Sequence, residues 1–396
     1  MTSLPLLEYT LESIGFFPGC LGAKSWMWEG GRRGRLILDR PGAKGSRLKE
    51  KRVSTQSSPP TVADVAHLAG VGAITVSRVV NGNRYVSHEK RKRINAAIKK
   101  LGYRPNQAAR VLKGHRARMI GLIVPDLSDP FFGMCAAAAE EFAFGRGYMT
   151  LIVASQRNAE VEKNEVDMMM GQNIAGLVIV PSLPNDRLQL LTSNGIPIVA
   201  LDRPLEGLVA DEVVVDNLGG AQTAVEHLVW HGHRKIACIG YDRNYYSIGQ
   251  RILGYTNVLK QAGLKPALYD DVSTPEAVGK IVHSWMRAND GPSAVFSLNN
   301  VTTLRVLHAL KESGIKIPDE MAIIGFDDFS LAPLLSPPLT AIRQPAQVLG
   351  TQAAKLLFHH IENAEGNQER TGVKMVLPVE FIVRASCGCP GGPNTR

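Results

Sequence analysis

The 396-residue chain is 44% hydrophobic and long enough to bury more than one core, and its five scattered cysteines argue against a disulfide framework. No apolar run approaches the roughly 20 residues needed to cross a membrane, and Met1–Cys20 carries two glutamates but no basic residue, so we expect no secretory signal. The net charge of +9 is uneven, because residues 61–118 hold thirteen Lys/Arg against two Asp/Glu, whereas residues 119–396 have a net charge of −7. Such a basic block favours a polyanion partner, and a solvated basic face is the alternative.

Residues 1–58 differ from the rest of the chain. They include a Gly/Arg-rich run over 30–35 and show little helical or strand periodicity. We expect this extension to be disordered. Because no Met lies between Met27 and Met119, a shorter product would need a non-Met start codon, for example at Val53, which is a hypothesis.

Residues 59–102 are predicted to form three short helices. The first begins after Thr61, a good N-cap residue, and ends at Gly70. Its apolar face consists of Val62, Val65, Ala66 and Ala69. The second spans about 72–80, and the third, which we expect Ser87 to cap, ends at Gly102. Two short helices joined by a Gly-containing turn and followed by a third are the plan of a helix-turn-helix domain.

The second helix presents small and polar side chains that can approach base edges and phosphates, namely Ala73, Ile74, Thr75, Ser77 and Arg78. A helical trio could equally be a protein-docking module, but the net charge of +11 over residues 61–118 favours DNA. In the next segment, residues 103–118, Pro105 stands at a plausible helix start, but the helix would be too short to be stable alone. We predict a hinge that becomes helical only when a contact pins it, and a plain linker is the alternative.

From Met119 onward, strand-like apolar runs alternate with helix-like segments. The predicted strands are Ile120–Val124, Thr150–Val153, Gly176–Val180, Ile196–Leu201, Val213–Val215, Ile236–Ile239, Ala294–Phe296 and Ala322–Gly325. The predicted helices are Asp129–Phe144, Val161–Gln172, Leu218–His231, Pro275–Ala288 and Val301–Ser313. This alternation predicts parallel sheets covered on both faces, and about 270 residues exceed what one sheet usually holds. We therefore expect residues 119–386 to form two α/β lobes with a ligand cleft at the carboxyl ends of the strands.

A series of motifs follows in order from residue 61 to about residue 386. They are Thr61-Val-Ala-Asp-Val-Ala-His-Leu-Ala-Gly-Val, Thr75-Val-Ser-Arg-Val-Val-Asn-Gly, Leu101-Gly-Tyr-Arg-Pro-Asn, Ile120-Gly-Leu-Ile-Val-Pro, Asp129-Pro-Phe-Phe, Gly232-His-Arg-Lys-Ile-Ala, Ile324-Gly-Phe-Asp-Asp and Gln344-Pro. Together they resemble the lactose/galactose-repressor family of bacterial regulators. The resemblance implies a helix-turn-helix head joined to a two-lobed domain like the type I periplasmic binding proteins. It also implies a cytoplasmic, nucleoid-associated repressor that binds a near-palindromic double-stranded DNA operator as a homodimer, or as a tetramer, under the control of a small effector.

The resemblance also indicates which residues contact DNA. The predicted set is Thr61, Ala73, Ile74, Thr75, Ser77, Arg78, Asn81, Tyr103, Asn106, Ala109 and Leu112. The last three belong to the hinge helix, where Leu112 resembles the leucine that opens a base step in the minor groove. Gly72 departs from the family, which usually has Ser or Thr at the start of the second helix. This glycine removes a possible phosphate contact.

The predicted effector-binding set, again by resemblance, is Phe131, Phe132, Asp202, Arg203, Arg251, Asn299 and Asp327. An Arg and two carboxylates can bind adjacent hydroxyls as donor and acceptors, and a Phe can cover the apolar face of a sugar ring. The alternatives are core packing for the two phenylalanines and solvated charges or a helix cap for the two aspartates. Arg203 in the cleft would favour a sugar acid or sugar phosphate, whereas a surface arginine paired with Glu206 is equally plausible. Asn300 stands where relatives often carry Asp, which removes a charge beside the pocket.

Two other functions share this fold, a solute-binding receptor and a sugar-processing enzyme. A receptor would need a signal peptide and no basic helical module, and this sequence shows the reverse. Against an enzyme, the chain has no Walker loop, Gly-x-Ser-x-Gly elbow or zinc-protease motif. The spacing of His227, His231 and His233 could suggest a metal site, but a helix-to-strand turn explains it better. Cys387 and Cys389 fall in a predicted tail, 387–396, where a metal site is the less favoured alternative. We therefore expect no metal, no cofactor and no catalysis. An inducer and a corepressor fit the sequence equally.

Overall fold

The computed structural model of the protein describes residues 60–80, 85–104, 116–182, 186–288, 290–363 and 372–389. The extension predicted over 1–58 lies outside these residues. So do four of the predicted DNA-binding residues, namely Asn81, Asn106, Ala109 and Leu112.

Three helices, α1 (Val62–Ala69), α2 (Ala73–Val80) and α3 (His88–Leu101), form the head. Their core includes Val65, Val76 and Ile94, all fully buried. Thr61 and Asp64 form a capping box at the start of α1, and Gly70 and Gly102 end α1 and α3 in the left-handed conformation, as the sequence predicts. Ser87 precedes α3, but its side chain makes no cap hydrogen bond, so that part of the prediction is wrong.

An unpredicted contact connects the third helix to the first. The guanidinium of Arg93 donates to the carbonyl oxygens of Ala69 at 3.0 Å and Gly70 at 2.8 Å. These carbonyls belong to the last turn of α1, whose oxygens have no partner within the helix. Arg93 therefore caps α1 from outside and fixes the head's packing.

The rest of the described chain forms two lobes. The strands are β1 (Met119–Val124), β2 (Met149–Ala154), β3 (Gly176–Ile179), β4 (Ile198–Leu201), β5 (Asp211–Val215), β6 (Ile236–Ile239), β7 (Ala267–Tyr269), β8 (Ala294–Ser297), β9 (Ala322–Phe326), β10 (Thr340–Arg343), β11 (Lys374–Leu377) and β12 (Glu380–Ile382). The helices are α4 (Pro130–Phe144), α5 (Ala159–Gly171), α6 (Asp186–Ser193), α7 (Asn217–Trp230), α8 (Tyr246–Gln261), α9 (Pro275–Arg287), α10 (Asn300–Glu312) and α11 (Ala346–Glu362), with a 3-10 turn at Ala332–Leu334.

Two six-stranded sheets confirm the two-lobed α/β prediction. The first lobe has strand order β11-β5-β4-β3-β1-β2, and the second has β12-β10-β9-β8-β6-β7. Apolar helix faces cover both sides of each sheet, as continuous apolar strands require. One pairing departs from the parallel expectation, because β12 runs antiparallel to β10.

The sequence prediction missed the shortest strands and three helices. The strands β7, β10, β11 and β12 have three or four residues each, and three of them contain no fully buried residue, so their apolar pattern is weak. The missed helices are α6, α8 and α11. Since β11 returns to the first sheet and β12 to the second, the chain crosses between the lobes repeatedly, and their positions depend on each other.

A close contact between two backbones holds the first lobe together. Gly350 of α11 packs against Cys135 of α4, where an added Cβ would lie 2.0 Å from the Cys135 carbonyl oxygen. That distance is far inside van der Waals contact, so one helix would have to move. The two helices also share the apolar core of this lobe.

We expect Gly350→Ala to lower the free energy of unfolding by about 1–3 kcal/mol, because the forced backbone shift outweighs alanine's better helix propensity. Gly279→Ala is the matched control, since an added Cβ in the middle of α9 meets nothing within 4 Å. The control should raise the free energy of unfolding by up to about 1 kcal/mol. Urea unfolding followed by circular dichroism measures both, and equal effects would contradict the close-contact interpretation.

Candidate functional site

The first candidate surface lies on the second helix of the head. Ala73, Ile74 and Arg78 are exposed there, with 72% of Ile74 accessible, while Thr75 and Ser77 are half-buried. The axes of α1 and α2 meet at 107°, within the range of a helix-turn-helix pair.

Among the described residues no single helix is long and apolar enough to cross a membrane. Only the bent pair of α1 and α2, taken together, passes that test of length and composition.

Two other predicted DNA-binding residues have structural contacts of their own. The Thr61 hydroxyl donates to the Asp64 carboxylate at 2.7 Å within the capping box. Tyr103 is only 8% exposed and packs into the core of the head, which raises the pKa of its phenol by burial. The structure thus supports a packing role for the Tyr103 ring and leaves a DNA contact by it as a prediction.

The start of α2 lacks a side-chain cap. The Gly72 carbonyl accepts hydrogen bonds from the amides of Thr75 at 2.9 Å and Val76 at 3.2 Å. A Cβ added at Gly72 would meet nothing within 4 Å. The position therefore has room for the Ser or Thr that would accept a hydrogen bond from the helix.

The second candidate site lies where strands of the two sheets end. Asp202 follows β4 of the first lobe and Asp327 follows β9 of the second, and both adopt left-handed backbone conformations, at φ 66° and 74°. Such conformations are uncommon for residues other than glycine and indicate that the surroundings hold these positions. Both side chains are buried.

Asp202 pairs with its neighbour. The Arg203 Nε lies 3.2 Å from the Asp202 carboxylate, and its Nη1 donates to the Pro181 carbonyl at 3.2 Å. The guanidinium also stacks over the Tyr245 ring, 4.4 Å from its centroid, and Ser247 donates to Asp202 at 3.5 Å. Arg203 is therefore buried between the lobes, and its interpretation as a surface arginine is wrong.

Asp327 is held by groups of its own lobe. It accepts hydrogen bonds from the Gln344 side-chain amide and, at 3.3 Å, from the Asn300 backbone amide, and the Arg251 Nη1 lies 3.9 Å away. Burial raises the pKa of this carboxyl to about 6, although nearby Arg251 opposes the shift. Arg251 also donates to Asn217 Oδ1 at 2.8 Å, so its charge is shared with a neutral acceptor.

A third buried carboxylate, which the sequence analysis did not single out, joins the two lobes. Asp129 caps α4 by accepting from the Phe131 amide at 3.0 Å. It also accepts from the Asn300 side chain, across the lobes, at 2.7 Å. Arg157 lies 4.0 Å from Asp129 and 3.0 Å from Asp126. The sequence feature that could have identified Asp129 is the Asp-Pro-Phe-Phe motif, because Asp before Pro is a typical helix start.

Two of the three carboxylates share a donor residue, because Asn300 donates to Asp129 through its side chain and to Asp327 through its backbone amide. Burial is the main cause that raises the pKa of the Cys135 thiol, and Asp202, Asp129 and Asp327 raise it further. Several buried polar atoms nearby have no hydrogen-bond partner in the described protein, namely Asn299 Nδ2, Gln344 Oε1 and Arg157 Nε. Unpaired buried polar atoms are costly, so these atoms make the lobe boundary a candidate site for a polar ligand.

Of the remaining predicted effector residues, Asn299 has an unpaired polar group, whereas Phe131 and Phe132 lie in the core. Asn299 caps α10 by accepting from the Thr302 amide at 2.7 Å and keeps its side-chain NH₂ group unpaired. Phe131 and Phe132 are 6% and 4% exposed and belong to the core of the first lobe, with their rings 5.0 Å apart. The structure thus favours core packing for most of both rings.

Comparisons with known proteins agree with this architecture. Residues 61–106 match the family described as bacterial regulatory proteins, lacI family, and residues 225–387 match a periplasmic binding protein-like domain. The chain is 31% identical to the HTH-type transcriptional regulator DegA of Bacillus subtilis (strain 168), over 82% of this chain and 97% of that protein.

Two solved structures each match 83% of the chain. The Lac repressor dimer bound to operator and the anti-inducer ONPF aligns with a TM-score of 0.73 at 25% identity, over 83% of this chain and 99% of that one. The complex of the transcriptional regulator CelR with cellobiose aligns with a TM-score of 0.60 at 30% identity, over 83% and 99%.

We expect Gly72→Ser to raise the melting temperature of the head, because a serine hydroxyl at the N-cap accepts an orphan amide hydrogen bond. Relative to glycine the gain in free energy of unfolding should be a few tenths of a kcal/mol. Gly72→Ala fills the same open space without an oxygen, so it should be less stable than the serine variant by about 0.5–2 kcal/mol. Calorimetry of both variants measures the difference, and an alanine variant as stable as the serine variant would contradict the cap.

Proposed function

The chain belongs to the lacI family of bacterial regulatory proteins, and from that premise we propose that it is a transcriptional repressor whose operator affinity is controlled by a sugar bound between its lobes. The observation that carries the proposal is the convergence of buried carboxylates, arginines and unpaired amides at the lobe boundary, connected by one chain to a basic helical head. The structure with cellobiose and the structure on an operator are those of its relatives.

DNA binding is proposed to use the exposed face of α2. Ala73 and Ile74 can contact thymine methyl groups, and Arg78 can bind a guanine edge or a phosphate. We further propose that two chains form a homodimer on the operator and that Asn106, Ala109 and Leu112 become a minor-groove hinge helix there. A dimer supplies the packing that so short a helix lacks alone.

The effector is proposed to be a neutral sugar rather than a sugar acid. Arg203 would favour an anion if its charge were free, but Asp202 lies 3.2 Å from it. Arg157 is likewise paired with Asp126 at 3.0 Å. Hydroxyl groups can both donate to the carboxylates and accept from the unpaired amide NH₂ of Asn299, whereas an added carboxylate would face the three buried aspartates Asp129, Asp202 and Asp327.

The same contacts provide a route for allosteric control. An effector changes operator affinity only if it binds two arrangements of the lobes with different free energies. The 2.7 Å hydrogen bond between Asn300 and Asp129 joins the lobes directly. A ligand that competes for either group, or completes the network around them, shifts the balance between the two arrangements.

We expect Arg78→Ala to weaken specific operator binding by about 1–3 kcal/mol, because one base or phosphate contact is lost. A duplex enriched from genomic fragments by the full chain serves as the probe, with a random duplex for comparison. Lys260→Ala, an exposed cation on the second lobe, is the matched control and should leave both affinities unchanged.

Salt dependence tests the same surface. For the unaltered protein the logarithm of DNA affinity should fall steeply with the logarithm of salt concentration, by about 0.9 for each phosphate neutralised. A flat dependence, or equal affinity of the Arg78→Ala and Lys260→Ala proteins, would argue against DNA binding by the head.

We expect effector affinity to fall as pH drops below about 6, the raised pKa of Asp327, by up to about tenfold per pH unit. Above this pH the carboxylate is ionised and accepts hydrogen bonds from ligand hydroxyls, whereas below it the group is protonated. Calorimetric titration with a panel of neutral sugars and sugar acids, repeated between pH 5 and 8, first finds the ligand and then measures this dependence.

Asp327→Asn should weaken binding and remove this pH dependence, and Asp319→Asn, at an exposed position, should change neither. Arg203→Ala separates the ligand classes, because a protein that needs this cation for a sugar acid would lose acid binding alone. Acids binding in preference to every neutral sugar would contradict the proposed ligand class. Turnover of a bound sugar would favour the enzyme alternative.

A further inference from the structure

Four side chains outside the lobe boundary come together in the second lobe, and we call them the His2Cys2 cluster. His227 lies in the last turn of α7 and His231 is its C-cap residue, four positions later, while Cys387 and Cys389 follow the last strand, β12. The distances are 3.3 Å from His227 Nε2 to Cys387 Sγ, 3.5 Å from His227 Nε2 to Cys389 Sγ and 3.1 Å from His231 Nε2 to Cys389 Sγ. All four candidate ligand atoms lie within 4.8 Å of one another.

These positions correct two sequence interpretations. Cys387 is not a tail residue, because it is fully buried in the core of the second lobe. His227 in the last turn of α7 and His231 at its C-cap both contact the cysteines, so the helix-to-strand turn does not account for these two side chains. The two histidines are about 160 positions from the two cysteines in the chain, which is why their spacing resembles no known metal motif.

We propose that the His2Cys2 cluster binds one zinc ion in tetrahedral coordination. Zinc bonds of about 2.0–2.1 Å to nitrogen and 2.3 Å to sulfur place neighbouring ligand atoms about 3.3–3.8 Å apart in a tetrahedron. The observed nitrogen-to-sulfur separations of 3.1, 3.3 and 3.5 Å are close to that range. Two imidazoles with two thiolates are a donor set that zinc prefers over magnesium or calcium.

The surroundings of the cluster suit a metal. Histidines at i and i+4 face the same side of a helix, and Gly388, at φ 94°, provides the tight turn that brings both thiols to it. The Thr340 hydroxyl donates to Cys387 Sγ at 3.2 Å, a hydrogen bond of the kind that orients metal ligands.

The inferred role is structural. Four protein ligands leave no coordination position for a substrate or water, as in closed zinc sites. The ion would tie the segment after β12 to α7 and so fasten the end of the described chain to the second lobe. The cluster shares no residue with the effector network, so this proposal is independent of the repressor function.

The experiment uses the full chain, purified under reducing conditions without chelator. Elemental analysis should find about one zinc per chain, because closed sites of this kind hold the ion tightly. After chelation, titration with Co²⁺ should produce thiolate charge-transfer absorption and the visible bands of tetrahedral cobalt, saturating at one equivalent. Zinc should then displace the cobalt and remove these bands.

Cys387→Ser with Cys389→Ser should weaken Co²⁺ binding at least about 100-fold and abolish the charge-transfer band. If that double variant does not fold, the half-buried His231→Gln keeps the test open, with an expected loss of affinity of at least about tenfold. His308→Gln, at an exposed histidine paired with Glu312, is the matched control and should bind Co²⁺ normally. Reduced, folded protein that gives no cobalt bands, or variants that bind like the control, would overturn the proposal.

Discussion

The two-lobed domain depends on how it accommodates buried negative charge. Asp129, Asp202 and Asp327 are each at most 7% exposed, and an ionised carboxylate without partners in such surroundings is strongly unfavourable. Every one of them therefore has a donor close by, and for Asp129 the shortest side-chain donor comes from the opposite lobe. The partners are what make this arrangement of the lobes stable, so whatever changes a partner changes the lobe arrangement.

The raised pKa of Asp327 shows that its donors only partly offset the cost of burying its negative charge. Its closest cation, Arg251, stands 3.9 Å away and is also engaged with Asn217, so burial outweighs the attraction. Asp328, the next residue, shows the contrast, because Arg343 and Arg384 lie 2.6 and 2.9 Å from it and the pKa of its carboxyl is lowered. A carboxylate with an incomplete set of donors, next to unpaired amides, is a group prepared for a ligand that supplies hydroxyls.

Much of this could be predicted from the sequence because its causes are local or repetitive. The capping box at Thr61, the left-handed ends at Gly70 and Gly102 and the continuous apolar strands follow from neighbouring residues. Contacts between distant segments could not be predicted this way. Arg93 on Ala69 and the short strands β11 and β12 depend on tertiary packing. The His2Cys2 cluster likewise forms only because the segment after β12 packs against the end of α7.

Asn300 shows how the structure changes the meaning of a single departure. From the sequence, an amide in place of the family's usual carboxylate removes a charge beside the pocket. In the structure its NH₂ group donates at 2.7 Å to Asp129, while its backbone amide donates to Asp327. An ionised aspartate at this position would place two acceptors against each other in a buried site, so it would require a proton or a rearranged lobe boundary. The amide is therefore the donor that lets two carboxylates of opposite lobes remain buried together.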